Sequence, residues 1–388
     1  MKKVLLLDTN VSSFPIYNFL VESGYEVYVA GSNPNDYLAK YTDNYINIDY
    51  SNLYFLEDII NVYEFDFLVP GCNDASYFAA AKANELKGFY GIDSSYTTNI
   101  INNKSEFRKF ALSNNINAPK VLTLDQAIIS NETLIIKPTD AYSGRGVSVI
   151  NDITNNRKKL ITESIEQAIS FSKTGNYIIE EYIEGQLYSH TAFLFNNKIY
   201  ADFIVIENCS SNKFTVDTSY VDYEFPENIK DSIRKDIESM SSILDLKNGL
   251  IHTQLIKTKD SFKIVEVTRR CPGDLYSLLI EKSTGFEYTK NYVMPFLNEK
   301  NYNINSKTKD RTHILRHTIS TINEYSITGI SYNQPIQIDL FISLSTTGDV
   351  IRKSPFGRIG LLFLKCNSIE ELKNLNSITI KKDLYTII

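Results

Sequence analysis

Short apolar runs alternate with amphipathic stretches through the first hundred residues. Val4–Leu7 has the continuous apolar pattern of a buried strand, and residues 14–22 carry apolar positions at helical spacing. Glu26–Ala30 is a second strand closed by a turn at Gly31. Phe67–Pro70 is a further strand, and Asp74 is placed to cap an Ala-rich helix over residues 75–86. Strands and helices in alternation predict an open parallel α/β sheet. No G-x-G-x-x-G follows the first strand, so a dinucleotide fingerprint is missing.

The pattern then changes. A basic helix over 104–113 leads to a strand at Thr133–Lys137, a Gly-rich turn and a return strand at Tyr177–Ile183. Ser164 and Gln167 have capping-box spacing before a helix over 165–172. This span reads as a small α+β lid. From about residue 186 the strands lengthen and look antiparallel (188–195, 198–206, Ile251–Lys257, Phe262–Thr268). Ile229, Ile233, Ile237, Met240, Ile243 and Leu244 line one face of a helix between Pro226 and Gly249. A polar stretch around 299–310 reads as a linker before a strand-rich tail with a helix near 368–374. The fold class is therefore α/β with α+β. The expected units are 1–100, 101–185 (basic helix and lid), 186–298 (central domain) and 299–388 (β-rich tail).

Composition excludes some functions. The formal net charge is −6, from 40 Lys and Arg against 46 Asp and Glu, which argues against general affinity for nucleic acid or anionic membrane. Four scattered cysteines without C-x-x-C, and four histidines, give no zinc pattern and fit a reducing cytoplasm. The N-terminal apolar run stops at Asp8, too short for a signal sequence, and no stretch reaches membrane-span length.

Four segments carry candidate chemistry. In NNKSEFRKF, Lys104 and Arg108 share one helix face at i, i+4, which alone also describes a solvated basic face. In LIIKPTDAYSGRGVSVI, Lys137 ends an apolar strand and Ser143, Gly144, Arg145, Gly146 and Val147 form a flexible turn. Glycines there let consecutive N–H groups converge on an anion, and a lysine supplies a point charge to the same phosphates. In YIIEEYIEGQ, Glu180 and Glu181 close a strand before Gly185, positioned for an adenine amino group or merely for solvent. In HTQLIKTKDSFKIVEVTRRCPGD, Gln254 and Glu266 fall on two strands of a hairpin, where their oxygens suit Mg²⁺. Arg269 and Arg270 precede a Cys-Pro-Gly-Asp turn at the strand end, a charge pattern unusual for plain surface.

Taken in order, these segments resemble the ATP-grasp superfamily over roughly residues 1–295, and most closely its carboxylate–amine ligase branch. That branch includes amino-acid ligases, phosphoribosylamine–glycine ligase and relatives of the carbamoyl phosphate synthetase large subunit. The resemblance implies that Lys104 or Arg108, Lys137 and the 143–147 loop bind the ATP phosphates. It implies that Glu180, Glu181, Tyr182 and Ile183 pass along adenine, and that Gln254, Glu266 and Thr268 hold one or two Mg²⁺ (or Mn²⁺) ions. Arg270 matches the arginine of an E-x-N-x-R signature, and with Lys137 is the expected catalytic pair. Substrate is expected beside Arg269, Arg270, Gly273 and Asp274, with Asn73 and Asp74 lining the same cleft.

Three positions depart from the pattern. Gln254 stands where many members have an acid, Thr268 replaces an asparagine ligand, and Leu187 falls near the acid expected on the ribose. In the tail, His313 and Arg316 are further candidates to reach the site. The implied activity joins a small carboxylate, an amino acid by family expectation, to an amine through an acyl phosphate. A bicarbonate-activating carboxylase and a non-catalytic ATP-binding module remain the alternatives. Small-molecule substrates are the implied partners, and a homodimer is a family-level expectation.

Overall fold

The structure is a computed structural model that describes residues 1–141, 144–152, 154, 156–299 and 311–388. The expected linker at 299–310 lies, except for Glu299, outside the described residues. The first sheet is parallel, in order β3-β2-β1-β4, from β1 (Lys3–Leu7), β2 (Glu26–Gly31), β3 (Tyr45–Asn47) and β4 (Phe67–Pro70). Helices α1 (Phe14–Glu22), α2 (Tyr37–Tyr41), α3 (Leu53–Tyr63) and α4 (Asp74–Lys87) connect and cover it. Every side chain from Val4 to Leu7 is buried, because helices on both faces leave a parallel strand no solvated side. The cap of α4 is Asn73, whose side chain accepts the Ser76 N–H, and Asp74 is the first helical residue. That shift matters because it turns the Asp74 carboxylate away from capping and into the cleft.

Two helices, α5 (Ser95–Asn102) and α6 (Lys104–Ser113), lead into the lid. The lid sheet is antiparallel, β6-β5-β7, from β5 (Leu134–Pro138), β6 (Ser148–Ile150) and β7 (Tyr177–Glu181). Helices α7 (Leu124–Ile129) and α8 (Arg157–Phe171) accompany it. The expected capping box at Ser164 and Gln167 is not an N-terminus: Ser164 is buried inside α8, which is already helical from Arg157. Ile161, fully buried one turn earlier, anchors that extension against the lid core. The true capping box is Thr123 with Gln126, opening α7.

Among the described residues, eight strands form one antiparallel sheet in the order β12-β11-β8-β9-β10-β13-β18-β16. These are β8 (Gln186–Phe195), β9 (Lys198–Asn208), β10 (Thr218–Val221), β11 (Gly249–Lys257), β12 (Phe262–Thr268), β13 (His313–Ile319), β16 (Ile338–Ser343) and β18 (Gly360–Cys366). Short strands β14 (Tyr325–Ser326) and β15 (Ile330–Tyr332) pair with β17 (Val350–Ile351) and β19 (Tyr385–Ile387) respectively. Helix α9 (Glu227–Leu244) lays Ile229, Ile233, Ile237 and Met240 on this sheet, while Ile243 is half exposed and off the stripe. Helices α10 (Tyr276–Thr284), α11 (Tyr288–Val293) and α12 (Ile369–Ile380) complete the chain. The tail strands β13 and β18 continue the central sheet, so its hydrogen bonding runs across the expected boundary at 298/299. The expected combination of a parallel α/β domain with antiparallel α+β parts is what the chain adopts. No helix among the described residues is long and apolar enough to cross a membrane.

Candidate functional site

Where the first sheet, the lid, the central sheet and the tail meet, they enclose a cavity of about 580 Å³. Each wall brings a different chemistry.

The lid wall is cationic. In the antiparallel register Ile135 stands opposite Glu180, which puts Lys137, two residues along the same face, diagonally beside it. Lys137 Nζ lies 2.8 Å from Glu180 Oε2, and Arg108 Nε lies 2.7 Å from Oε1. Burial alone would push the Glu180 carboxyl up; Lys137 and then Arg108 outweigh it and hold it below the ordinary range. Burial, with Arg108 and Lys104 nearby, lowers the Lys137 ammonium despite Glu180. Arg108 also donates to the Val265 carbonyl at 2.8 Å and does not line the cavity. Of the two basic residues proposed on α6, Lys104 is therefore the one that faces it. Its Nζ donates to the Ala141 carbonyl at 3.0 Å and to Glu266 Oε1 at 3.3 Å, tying the lid loop to the central hairpin.

The loop itself explains its glycines. Gly144 and Gly146 have φ of +68° and +70°, and a Cβ on Gly144 would strike the Phe214 side chain. Arg145 places its guanidinium 5.2 Å from the Phe356 ring centre. Gly144, Arg145 and Val147 line the cavity and Gly146 does not; Ser143 lies outside the described residues.

The hairpin wall is oxygen-rich. Gln254 stands directly opposite Glu266 across β11 and β12, next to a register shift between Gln254 and Leu255. Gln254 donates its amide N–H to Glu207 Oε2 at 2.8 Å, which leaves the amide carbonyl oxygen free to face a cation. Glu207, on β9, was not singled out in the sequence. It is buried, lines the cavity, and has its carboxyl raised by burial against the pull of Ser189 and Gln254. Nothing in the local pattern IVIENCSS marks it, because its partner is forty-seven residues away. Glu266, Glu207 and the Gln254 carbonyl fit Mg²⁺, which takes one or two carboxylates and completes its shell with water and phosphate oxygens. Thr268 does not fit the same role. Its hydroxyl donates to Asp74 Oδ1 at 3.3 Å and lies 3.3 Å from the Arg270 N–H, so it orients that pair instead of a cation.

The wall facing the first sheet holds a matched pair. Arg270 Nε lies 2.8 Å from Asp74 Oδ1, and Arg270 holds the Asp74 carboxyl below its usual range despite burial. Asn73 lines the cavity while capping α4 and exchanging hydrogen bonds with Tyr50. Arg269 was expected beside the substrate, but successive strand residues point to opposite faces. It is buried on the far side, 2.7 Å from Asp93 and bonded to the Lys247 carbonyl, where it clamps two loops. Gly273 and Asp274 do line the cavity. His252, 2.7 Å from Thr191 Oγ1, is pushed down to about 3 by burial.

The tail supplies the last wall, with Arg316, Thr318, Ser320 and the segment Ser354–Arg358. His313 does not reach it. The adenine candidates Glu181, Tyr182 and Ile183 are not in the lining either. Glu181 accepts the Lys120 N–H at 2.8 Å, the Tyr182 N–H bonds the Thr133 carbonyl, and Lys213 sits 5.1 Å above the Tyr182 ring. Glu180 does not line the cavity either; both its oxygens are engaged, by Arg108 and Lys137.

The ATP-grasp domain family matches residues 130–277, the span holding Lys137, Glu207, Gln254, Glu266 and Arg270. No curated protein matches the chain by sequence search. The chain is similar over its full length to two ligase crystal structures. One is L-amino acid ligase from Bacillus licheniformis, at TM-score 0.80 and 17% identity over 98% of that chain. The other is phosphoribosylglycinamide synthetase from Anaerococcus prevotii, at 0.77 and 18% over 99%. It is also similar to the biotin carboxylase domain of 2-oxoglutarate carboxylase from Hydrogenobacter thermophilus, solved with MgADP and bicarbonate, at 0.74 and 14% over 90%. At these identities the likeness is one of fold. Residues 130–277 match the ATP-grasp domain family, and the whole chain has the fold of these ligase and carboxylase structures.

Proposed function

We propose that this chain is an ATP- and Mg²⁺-dependent ligase that joins a small carboxylate to an amine and releases ADP and phosphate. The observation that carries the reading is one cavity in which Lys104, Lys137 and Arg270 surround the Glu266–Gln254–Glu207 oxygen cluster. A carboxylate must approach a triphosphate, and two unit charges 4 Å apart repel by about 4 kcal/mol at an effective dielectric near 20. Cations concentrated on the γ-phosphate offset that repulsion. Lys137, steadied by Glu180, and Lys104, at the loop, bind the phosphate oxygens. Glu266, Glu207 and the Gln254 carbonyl would hold Mg²⁺, which would neutralise phosphate charge there.

The substrate carboxylate attacks the γ-phosphorus, forming an acyl phosphate and ADP. The amine then attacks the acyl carbon, its proton is lost to solvent, and phosphate leaves. Arg270, aimed by Asp74 and Thr268, stabilises the oxyanion that develops at that carbon. Closure of the 144–147 loop against Phe214 and Phe356 keeps water from the acyl phosphate. The free cysteines suit a reducing compartment, and we place the reaction in the cytoplasm.

The test is ADP and phosphate release with Mg²⁺, across pools of carboxylates and amines, with AMP and bicarbonate dependence followed in parallel. ADP released only with an acid-plus-amine pool supports the ligase. AMP would overturn the acyl-phosphate route, and bicarbonate-driven turnover would make the enzyme a carboxylase.

A further inference from the structure

Arg270 is matched by Asp74, Lys104 by Glu266, and Glu180 serves Lys137. On the tail side, two guanidinium groups share one carboxylate. Arg358 pairs with Asp274 Oδ1, while Arg316 Nη1 lies 3.7 Å from Oδ2 and donates to the Asp274 carbonyl at 3.0 Å. Arg316 is 3% exposed, and its Nη2 donates to Ser219 Oγ at 2.8 Å. Its enclosed Nε meets no hydrogen-bond acceptor among the described residues. The Thr318 hydroxyl, on the same face of β13 and also buried, likewise has no hydrogen-bond partner among the described residues. An enclosed cation with an unused donor is costly unless something else completes it.

The brace under these arginines is itself strained. Asp274 and Leu275 have φ of 54° and 55°, a conformation that costs a non-glycine residue on the order of 1 kcal/mol or more. The turn is held from three separate segments: Ser12 Oγ accepts the Asp274 N–H at 3.0 Å, and Arg316 and Arg358 take its acceptors. The wall formed by the first domain offers Asp8, Asn10, Ser12, Cys72, Asn73 and Asp74, with no cation among them. Lys104, Lys137 and Arg270 are assigned above to the phosphates and the reacting carbon, so a further anionic group is best met on the tail wall, at Arg316 and Arg358.

We infer that Arg316 and Arg358, braced on Asp274, form a receptor for a carboxylate that does not react, carried by one of the two substrates. The inference rests on the ligase reading. The net charge of the triad is one positive, which matches a carboxylate better than a phosphomonoester carrying nearly two negative charges. A guanidinium offers the planar pair of N–H groups that a carboxylate accepts. Two sources of the group are chemically equal here. The amine can be an amino acid, or the acid can be a dicarboxylate.

The experiment uses hydroxylamine first. Hydroxamate and ADP formed with a carboxylate pool report the acyl phosphate without any amine substrate, and so test the ligase reading alone. KM is then compared for amino acids against their primary amides as the amine, and for dicarboxylates against their monoamides as the acid. One arm is expected to show a KM penalty of roughly tenfold or more on losing the remote carboxylate. Arg358→Ala, at a side chain 36% exposed, should shrink that ratio to about twofold, with part restored in Arg358→Lys. Hydroxamate formation with no penalty in either arm, or a ratio unchanged in Arg358→Ala, overturns the receptor while the ligase stands. No ADP and no hydroxamate with any pool overturns both.

Discussion

Arg108 Nε lies 2.7 Å from Glu180 Oε1, with both side chains enclosed. The pair ties α6 to the lid strand that also supports Lys137. Removing one member of such a pair leaves the other charge buried. Arg108→Met should therefore destabilise the protein by about 3–5 kcal/mol, measured by urea unfolding. A loss below about 1 kcal/mol would show that the pair is not needed to hold the lid.

Glu207 makes a prediction with two opposite signs. Burial raises its folded-state pKa, so ionising it costs the fold, and stability falls as pH rises through the window above the ordinary value of 4.5. Glu207→Gln keeps the volume and an acceptor for Gln254. Without metal the variant should unfold at an equal or higher temperature than wild type, while the Mg²⁺ needed for half-maximal ADP release rises roughly tenfold. A lower melting temperature with an unchanged Mg²⁺ requirement would remove Glu207 from the metal set.

Substitutions at the phosphate wall should lower turnover, and Lys137→Ala, which strips the buried Glu180 of one of its two cations, should cost stability as well. Lys137→Ala and Glu266→Gln are each expected to lower ADP release by about a hundredfold or more. Glu266, with 39% of its side chain exposed, should leave unfolding little changed. Chelation of Mg²⁺ should abolish release in the wild type. Turnover that survives either variant within about threefold would place the chemistry elsewhere.

Buried histidines set the acid side of stability. His252 and His317 are pushed down by burial to about 3 and about 4, against an ordinary value of 6.5. The unfolded chain takes up protons that the folded one refuses. Stability is thus complete above pH 6.5 and declines as pH falls, by up to about 1.4 kcal/mol per unit for each histidine. Unfolding should become easier between pH 7 and about pH 5, before carboxylates such as Glu180 begin to protonate. His252→Gln should flatten that slope; an unchanged slope would locate the titration elsewhere.

The elements were legible where their periodicity was long. The apolar runs of the first sheet and the Ile229–Ile237 stripe of α9 carried enough repeats to mark strand and helix. Ser164 misled because residues just ahead of it, Arg157 to Glu163, read as a polar approach while Ile161 was already packed in the lid. The site divided in the same way. Lys137, Gln254, Glu266 and Arg270 sit in local patterns that announce a strand end or a hairpin. Arg316, a candidate from the sequence, does line the cavity, whereas Glu207 and Arg358 acquire their place only through pairings far along the chain, with Gln254 and Asp274. Arg269 shows the converse: its sequence context is shared with Arg270, and one step of the pleat sends it to the opposite face.

The continuous central sheet also decides where this chain can be cut and rejoined. Strand β13 is seven residues of ladder against β18 on one side and meets β10 at Ser219 and Thr218 on the other. A chimera joined at 298/299 would have to rebuild both seams with a foreign partner, and would set Arg316 against a mismatched Ser219 and Asp274. Metal hairpin and tail therefore stay together in any exchange, and a piece beginning near Gln186 would still have to keep the Ser12–Asp274, Asp74–Arg270 and Asp93–Arg269 contacts with the first hundred residues.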